Sequence, residues 1–205
     1  MAALAHTIRI RNPALFICDI QEKFRNGIFE FSKLVSTSEK MLRAASTLQL
    51  PVFVTTQSRA KLGNTVPELQ THLQGSHIRA DVDKTLFSMV TPEIDALLPK
   101  GEGERLDIII VGIETHICVA QTTLDLLARG HRVYLLVDGV SSMNAEERGI
   151  ALARLRDAGA IVTSSESILF EILGDAEHGS FRTVSGLIKE TKEETKAALG
   201  VFSKI

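Results

Sequence analysis

Stretches that are apolar at every position alternate along this chain with segments whose apolar positions recur every three or four residues. Ala14-Leu15-Phe16-Ile17-Cys18, closing on Asp19, predicts a first strand. From Lys33 to Leu50 the period changes, and Leu34, Val35, Ser38, Met41, Leu42, Ala45 and Leu48 mark one face of an amphipathic helix. Pro51 ends that helix and opens a second strand, Val52 to Thr56. A polar loop with Gly63 and Asn64 follows, then a short helix over Pro67 to Leu73 and a weak third strand over Ser76 to Ala80. Strand four, Leu106 to Val111, leads into a helix from Thr115 to Ala128 that Arg129-Gly130 terminates. Strand five, Arg132 to Val137, ends in Asp138. Asn144 and Glu147 have capping-box spacing for a helix reaching Ala158. Ala160 to Thr163 predicts strand six, and Ser164 or Ser165 caps a helix carrying Ile168, Leu169 and Ile172. From Ser180 onward the pattern predicts one further helix and a loosely held tail.

Strands that are apolar throughout need cover on both faces, and here helices alternate with them at regular spacing. That combination predicts a parallel sheet in a doubly wound α/β sandwich, with residues 1–205 forming one domain. A hydrophobic content of 44% over 205 residues is enough for a full core. The formal charge of −2 and the lack of a basic stripe argue against nucleic acid or anionic lipid as the main partner. Ala14 to Ile20 is too short for a membrane span and Asp19 interrupts it, so neither a signal segment nor a transmembrane helix is expected. Two cysteines make no disulfide framework and suggest free thiols in the cytoplasm. The six histidines are scattered without metal-ligand spacing, and neither GxGxxG nor GxxxxGK[ST] occurs. No metal and no other cofactor is expected.

In an open parallel sheet, ligands bind beyond the carboxyl ends of the strands, where the strand order reverses. Asp19 ends strand one, Lys84 follows strand three and Cys118 follows strand four. With Thr115 as N-cap, Cys118 falls at the third helical position, facing orphan backbone donors and the positive helix end, which favour thiolate. A carboxylate beside it can take its proton, and a lysine can hold that carboxylate ionised. Each residue also has a plainer reading. Cys118 is small enough to be core, Asp19 suits a cap or turn, and Lys84 lies among the charged Arg79, Asp81 and Asp83. Cys18 reads as core packing and Asp138 as a loop or subunit contact. His116, two residues from Cys118 on a helix, does not share its face.

Three separated stretches, in order, resemble the isochorismatase-like, or cysteine hydrolase, superfamily. They are Cys18-Asp19-Ile20-Gln21-Glu22-Lys23-Phe24, Lys84-Thr85-Leu86-Phe87-Ser88-Met89 and Val111-Gly112-Ile113-Glu114-Thr115-His116-Ile117-Cys118-Val119. Thr122 to Gly130 and Val137 to Ser142 extend the likeness over about Ala14 to Leu173. It is nearest the eukaryotic isochorismatase domain-containing proteins, with which the loop Thr56-Gln57 to Gly63 and Thr65-Val66-Pro67-Glu68-Leu69 are shared. The resemblance implies a Rossmann-like three-layer α/β/α sandwich with a six-stranded parallel sheet. It implies Asp19 as general base, Lys84 as its electrostatic partner and Cys118 as nucleophile. A non-proline cis peptide at Ile113-Glu114 and an oxyanion hole from the Glu114 and Cys118 backbone N–H groups are implied as well. The expected reaction is hydrolysis of a small amide C–N bond through a thioester. Ether cleavage of the isochorismatase type, or a non-catalytic interaction role, are the alternatives.

Nicotinamidases of this superfamily carry histidine ligands in the loop after strand two. Here Gln57-Ser58-Arg59-Ala60-Lys61-Leu62-Gly63 has none, which speaks against a metal. Retention of Cys118 favours thiol chemistry over the vinyl-ether cleavage of true isochorismatases. Phe24, Phe87, Met89 and Ile113 are expected to form an apolar wall, with Gln57 and Arg59 meeting a polar or anionic substituent. The expected partners are a small-molecule substrate and further copies of the chain in a homo-oligomer.

Overall fold

The computed structural model describes residues 9–101 and 103–204. Six strands form one parallel sheet: β1 (Pro13–Cys18), β2 (Val52–Gln57), β3 (Ile78–Lys84), β4 (Asp107–Gly112), β5 (Arg132–Val140) and β6 (Ile161–Thr163). Their order is β3-β2-β1-β4-β5-β6, so the direction of winding reverses between β1 and β4. The β1 register sets Cys18 opposite Thr55 on one side and Gly112 on the other. Helices α1 (Phe31–Leu48), α2 (Arg59–Leu62), α3 (Pro67–Gln70), α4 (Pro92–Asp95), α5 (Cys118–Ala128), α6 (Ala145–Asp157), α7 (Ser165–Leu173), α8 (Phe181–Glu190) and α9 (Lys192–Phe202) complete the chain.

The continuous apolar strands sort their side chains by the two-residue period of the pleat. On one face Leu15, Ile17, Ile109, Val111 and Leu136 pack with Leu34, Met41 and Leu42 of α1 and Ile168 and Leu169 of α7. On the other, Ala14, Phe16, Cys18, Ile108, Ile110 and Leu135 meet Val119 and Leu126 of α5 and Leu152 and Leu155 of α6. Both faces are dry, which makes this the three-layer α/β/α sandwich expected. Each fully buried Leu, Ile or Phe contributes roughly 1.5–3 kcal/mol, and this double core supplies the main stabilising term.

Several elements differ from their sequence pattern. β3 is an edge strand in which Arg79, Asp81 and Asp83 are exposed between less exposed residues, so its apolar signal is weak. It runs on to Lys84, which ends the strand instead of following it. β5 continues to Val140, placing Asp138 inside the sheet. There Asp138 is fully buried, Oδ1 accepting the Ser165 N–H at 2.9 Å and Oδ2 the Ser165 hydroxyl, so it anchors α7 instead of facing a loop or subunit. Ser164 caps α7 through the Ser167 N–H. Asn144 is the N-cap of α6, but its side chain makes no cap hydrogen bond, so the capping box does not form. The segment after Ser180 is two helices, and Phe202 at its end is fully buried. The Arg148 guanidinium lies 4.5 Å from the Phe202 ring centre and donates to the Phe202 carbonyl at 3.0 Å, holding that end down.

Candidate active site

Three strand ends bring the candidate residues to the carboxyl edge of the sheet. The seam between β1 and β4 is closest at Gly112, whose φ of +134° suits glycine. A Cβ there would lie 2.1 Å from the Cys18 carbonyl oxygen, so no other residue fits. The close approach lets the Ile113 N–H donate to that carbonyl at 2.9 Å. It also ties the segment leading to Cys118 against the segment leading to Asp19.

Asp19 is 1% exposed and sits at φ +53°, a left-handed conformation that aspartate tolerates better than most residues. Its N–H donates to the Thr55 carbonyl at 3.2 Å, and Oδ1 accepts the Thr55 hydroxyl at 2.7 Å. Oδ2 accepts Lys84 Nζ at 2.7 Å, forming a buried ion pair. Lys84 Nζ also donates to Gln57 Oε1 at 2.8 Å and to the Leu86 and Phe87 carbonyls at 3.1 and 3.0 Å. Burial alone would lower the lysine pKa. Electrostatic interactions with Cys18, Asp19 and Cys118 and the Asp19 hydrogen bond outweigh it and raise the pKa above the ordinary lysine value.

Cys118 begins α5, with Ile117 as N-cap, so it stands at the first helical position and not the third. Thr115 is not the cap. Its N–H donates to the Ser141 carbonyl, and its buried hydroxyl has no partner. The Cys118 side chain is buried, 7% exposed, within the electrostatic reach of Lys84 and of the Cys18 thiol. No hydrogen bond joins Cys118 to Asp19 among the described residues. The sulfur hydrogen-bonded to that carboxylate is Cys18 Sγ, 3.7 Å from Oδ2 and 3.3 Å from the Ile113 carbonyl. Cys18 therefore belongs to the site as well as to the core. The Ile113–Glu114 peptide is cis, as the family resemblance implies. The backbone N–H groups of Glu114 and Cys118 donate to no other described residue, while Thr122 accepts nothing from Cys118 but donates to its carbonyl at 2.6 Å.

The side chains expected to meet substrate lie in different surroundings. Phe87 is half exposed beside Lys84, and Phe24 packs partly buried against the α1-side core. Ile113 is 1% exposed and belongs to that core. Gln57 spends its amide on Lys84 Nζ and the Thr85 carbonyl. Arg59 spends its guanidinium on Asp81 at 2.6 Å and the Thr56 hydroxyl at 3.0 Å. Met89 is fully buried in the opposite core. His116 Nδ1 lies 3.0 Å from the Ser142 hydroxyl, and the Glu114 carboxylate accepts the Met143 N–H, so neither faces the thiol as a base. Buried Gln21 is a further support that sequence reasoning left unassigned. It bonds Gln57 N–H and carbonyl and the Gly63 carbonyl, fixing the end of β2 beside Lys84. Its place in the Asp19 motif was the available signal. Among the described residues, no group of three or more His, Cys, Asp or Glu side chains is arranged to hold a metal ion. No helix among them is long and apolar enough to cross a membrane.

Comparison with known proteins agrees with this fold. The isochorismatase domain model matches residues 13–167. Isochorismatase domain-containing protein 2 of Homo sapiens is 41% identical over 191 residues, 93% of this chain and 89% of that protein. The secreted isochorismatase effector Isc1 of Phytophthora sojae is 42% identical over 179 residues, 87% of this chain and 85% of that one. The solved structure of the MAR1 ribonuclease from Caenorhabditis elegans superposes with a TM-score of 0.81 at 41% identity, covering 87% of this chain and 90% of that chain. The family match, the relatives and the six-stranded parallel sandwich agree, and the chain belongs to the isochorismatase family of hydrolase-fold proteins.

Proposed function

We propose that this protein is a metal-independent cysteine hydrolase that cleaves the C–N bond of a small amide. The observation that carries the reading is the buried Asp19–Lys84 ion pair at the carboxyl ends of β1 and β3, with Cys118 of α5 in electrostatic reach of the lysine. In this mechanism Asp19 takes the Cys118 proton as substrate enters, and the thiolate attacks the amide carbon. Catalytic hydrogen bonds are often loose before substrate binds, so Cys118 reaches Asp19 on closing over the substrate. The Glu114 and Cys118 N–H groups receive the developing oxyanion, each worth about 3–4 kcal/mol of transition-state stabilisation. Asp19 returns its proton to the departing nitrogen, which leaves as ammonia or an amine. Water then hydrolyses the thioester, with Asp19 as base, and restores the thiol. Lys84, saturated with acceptors, keeps its proton throughout and holds Asp19 ionised.

We propose further that the chain forms a homo-oligomer. Leu86, Phe87, Met143 and Ile150 are at least half exposed, more apolar side chain than a water-facing rim requires. Reduced, buried thiols suit a cytoplasmic protein, although a relative of similar identity carries the name of a secreted effector.

The name of the C. elegans relative raises RNA as a second substrate, and the test includes it. A panel of small amides and an RNA oligonucleotide is offered to the wild type and to Cys118→Ala. The expected result is ammonia or amine release with a transient acyl adduct on Cys118, both lost in Cys118→Ala. Amide turnover that survives Cys118→Ala, or RNA cleavage without amide turnover, contradicts the proposal.

A further inference from the structure

The proposed hydrolysis leaves one buried nucleophilic group in the site without a role. Cys18 is fully buried at the end of β1, and its side chain joins the same apolar cluster as Cys118. The register that sets Cys18 opposite Gly112, and the Ile113 N–H bond to its carbonyl, fix it against the segment entering α5. Cys18 Sγ lies 3.3 Å from the Ile113 carbonyl and 3.7 Å from Asp19 Oδ2, and the Cys118 thiol shares its buried cluster within electrostatic reach. The chain has two cysteines, and the fold brings them from residues 100 positions apart into one buried cluster. A carboxylate capable of moving a proton adjoins Cys18 Sγ.

We propose that Cys18 and Cys118 form a peroxide-responsive pair, with Cys18 as the resolving thiol that closes an intramolecular disulfide and protects Cys118 from irreversible oxidation. The oxidant is a hydroperoxide, small enough to reach the 7% of Cys118 that stays exposed. The Cys118 sulfur attacks one peroxide oxygen and the O–O bond breaks. The displaced oxygen takes the thiol proton and leaves as water or an alcohol, and Cys118 becomes a sulfenic acid. The Cys18 sulfur then attacks the sulfenic sulfur. The S–O bond breaks, and the Cys18 proton passes through Asp19 to the departing hydroxide, which leaves as water. Two thiols are oxidised to one disulfide while one hydroperoxide is reduced.

The surroundings of Cys18 suit a resolving role and not a leading one. Burial, the Cys118 contact and the Asp19 charge push its thiol well above the usual cysteine value. Cys18 therefore stays protonated beside the substrate and does not compete with Cys118. Once a sulfenic acid stands next to it, proximity and a proton acceptor are what the attack needs. This inference rests on Cys118 being the reactive thiol of the proposed hydrolase.

The test treats the full chain with hydrogen peroxide and reads intact mass and peptide maps without and with dithiothreitol. The expected product has lost two hydrogens and carries a Cys18–Cys118 crosslink, and dithiothreitol restores its iodoacetamide labelling fully. Cys18→Ala and Cys18→Ser, each checked by thermal melting, are expected to gain two or three oxygens on Cys118 and not recover. Wild-type protein that over-oxidises without a crosslink, while Cys118 still labels selectively before treatment, overturns the disulfide and leaves the hydrolase reading standing. If Cys118 does not label selectively at all, the hydrolase reading itself fails.

Discussion

The ammonium of Lys84 has three protons and meets four acceptors, Asp19 Oδ2, Gln57 Oε1 and the Leu86 and Phe87 carbonyls. A neutral amine would set its lone pair against one of them, so the site selects the charged form and makes lysine a fixed cation. Lys84→Met strands the Asp19 carboxylate in a dry site and is expected to cost about 3–5 kcal/mol in urea unfolding. The double variant Asp19→Asn/Lys84→Met, with no stranded charge, is expected to recover a large part of that loss. His131 gives a separate pH signature. Burial first, then the Arg129 charge, lowers its pKa below the ordinary 6.5, and its Nδ1 accepts the Leu106 N–H at 3.1 Å. Its folded pKa is depressed, so its contribution is full above about pH 6.5 and is lost as pH falls through the folded value. Wild-type stability is expected to drop as pH falls below about 6.5, and His131→Gln to flatten that slope in pH-dependent urea titrations. At this scale the sequence announced Asp19, Lys84 and Cys118 because each sits in a distinctive motif at a strand end. The Gln57 bond to Lys84 and the place of Cys18 beside Asp19 were not legible, because they depend on which neighbour each meets in the fold.

Among the elements, the β1–β4 seam is the least tolerant of change. Gly112→Ala adds a Cβ where Cys18 backbone already stands and at a φ that L side chains avoid, so it forces the two strands apart. A loss of about 3 kcal/mol or more is expected, with the Asp19 and Cys118 segments displaced together. Thermal unfolding and Cys118 labelling measure both effects. Native-like stability in Gly112→Ala would contradict the close contact. Arg148 makes the corresponding link at the far end of the chain, donating to the Val140 and Val137 carbonyls and to Phe202 of α9. Arg148→Ala is expected to loosen α9 and expose its amides to hydrogen exchange, at a cost of about 1–3 kcal/mol for the unsatisfied carbonyls. Central strands were legible from their unbroken apolar runs, since both faces are covered. The edge strand β3 was not, because its exposed charges break the run, and its true end at Lys84 was lost with it. The start of α5 was shifted for a local reason: Thr115 has capping chemistry, but its N–H is taken by Ser141.

The whole molecule places its chemistry by topology. Winding turns outward from β1 and β4 in opposite directions, which opens a crevice above the seam where no crossover passes. Regular alternation of strand and helix made this architecture readable, whereas the pairing of α8 with α9 was hidden in a mostly polar segment with few buried side chains, Val184, Leu187, Ala198 and Phe202 among them. Sedimentation velocity is expected to give a mass above that of one chain, and Leu86→Glu with Met143→Glu to shift it toward the monomer; a monomeric wild type would contradict the oligomer.

The proposed chemistry requires Asp19 to activate Cys118. The most direct measurement is the rate of iodoacetamide labelling of each cysteine near neutral pH, resolved by mass spectrometry, in wild type and in Asp19→Asn. Cys118 is expected to label far faster than Cys18 in the wild type, and Asp19→Asn to slow it on the order of 10²-fold with no loss of the fold. Equal labelling of the two thiols, or a Cys118 rate unchanged by Asp19→Asn, would contradict the account.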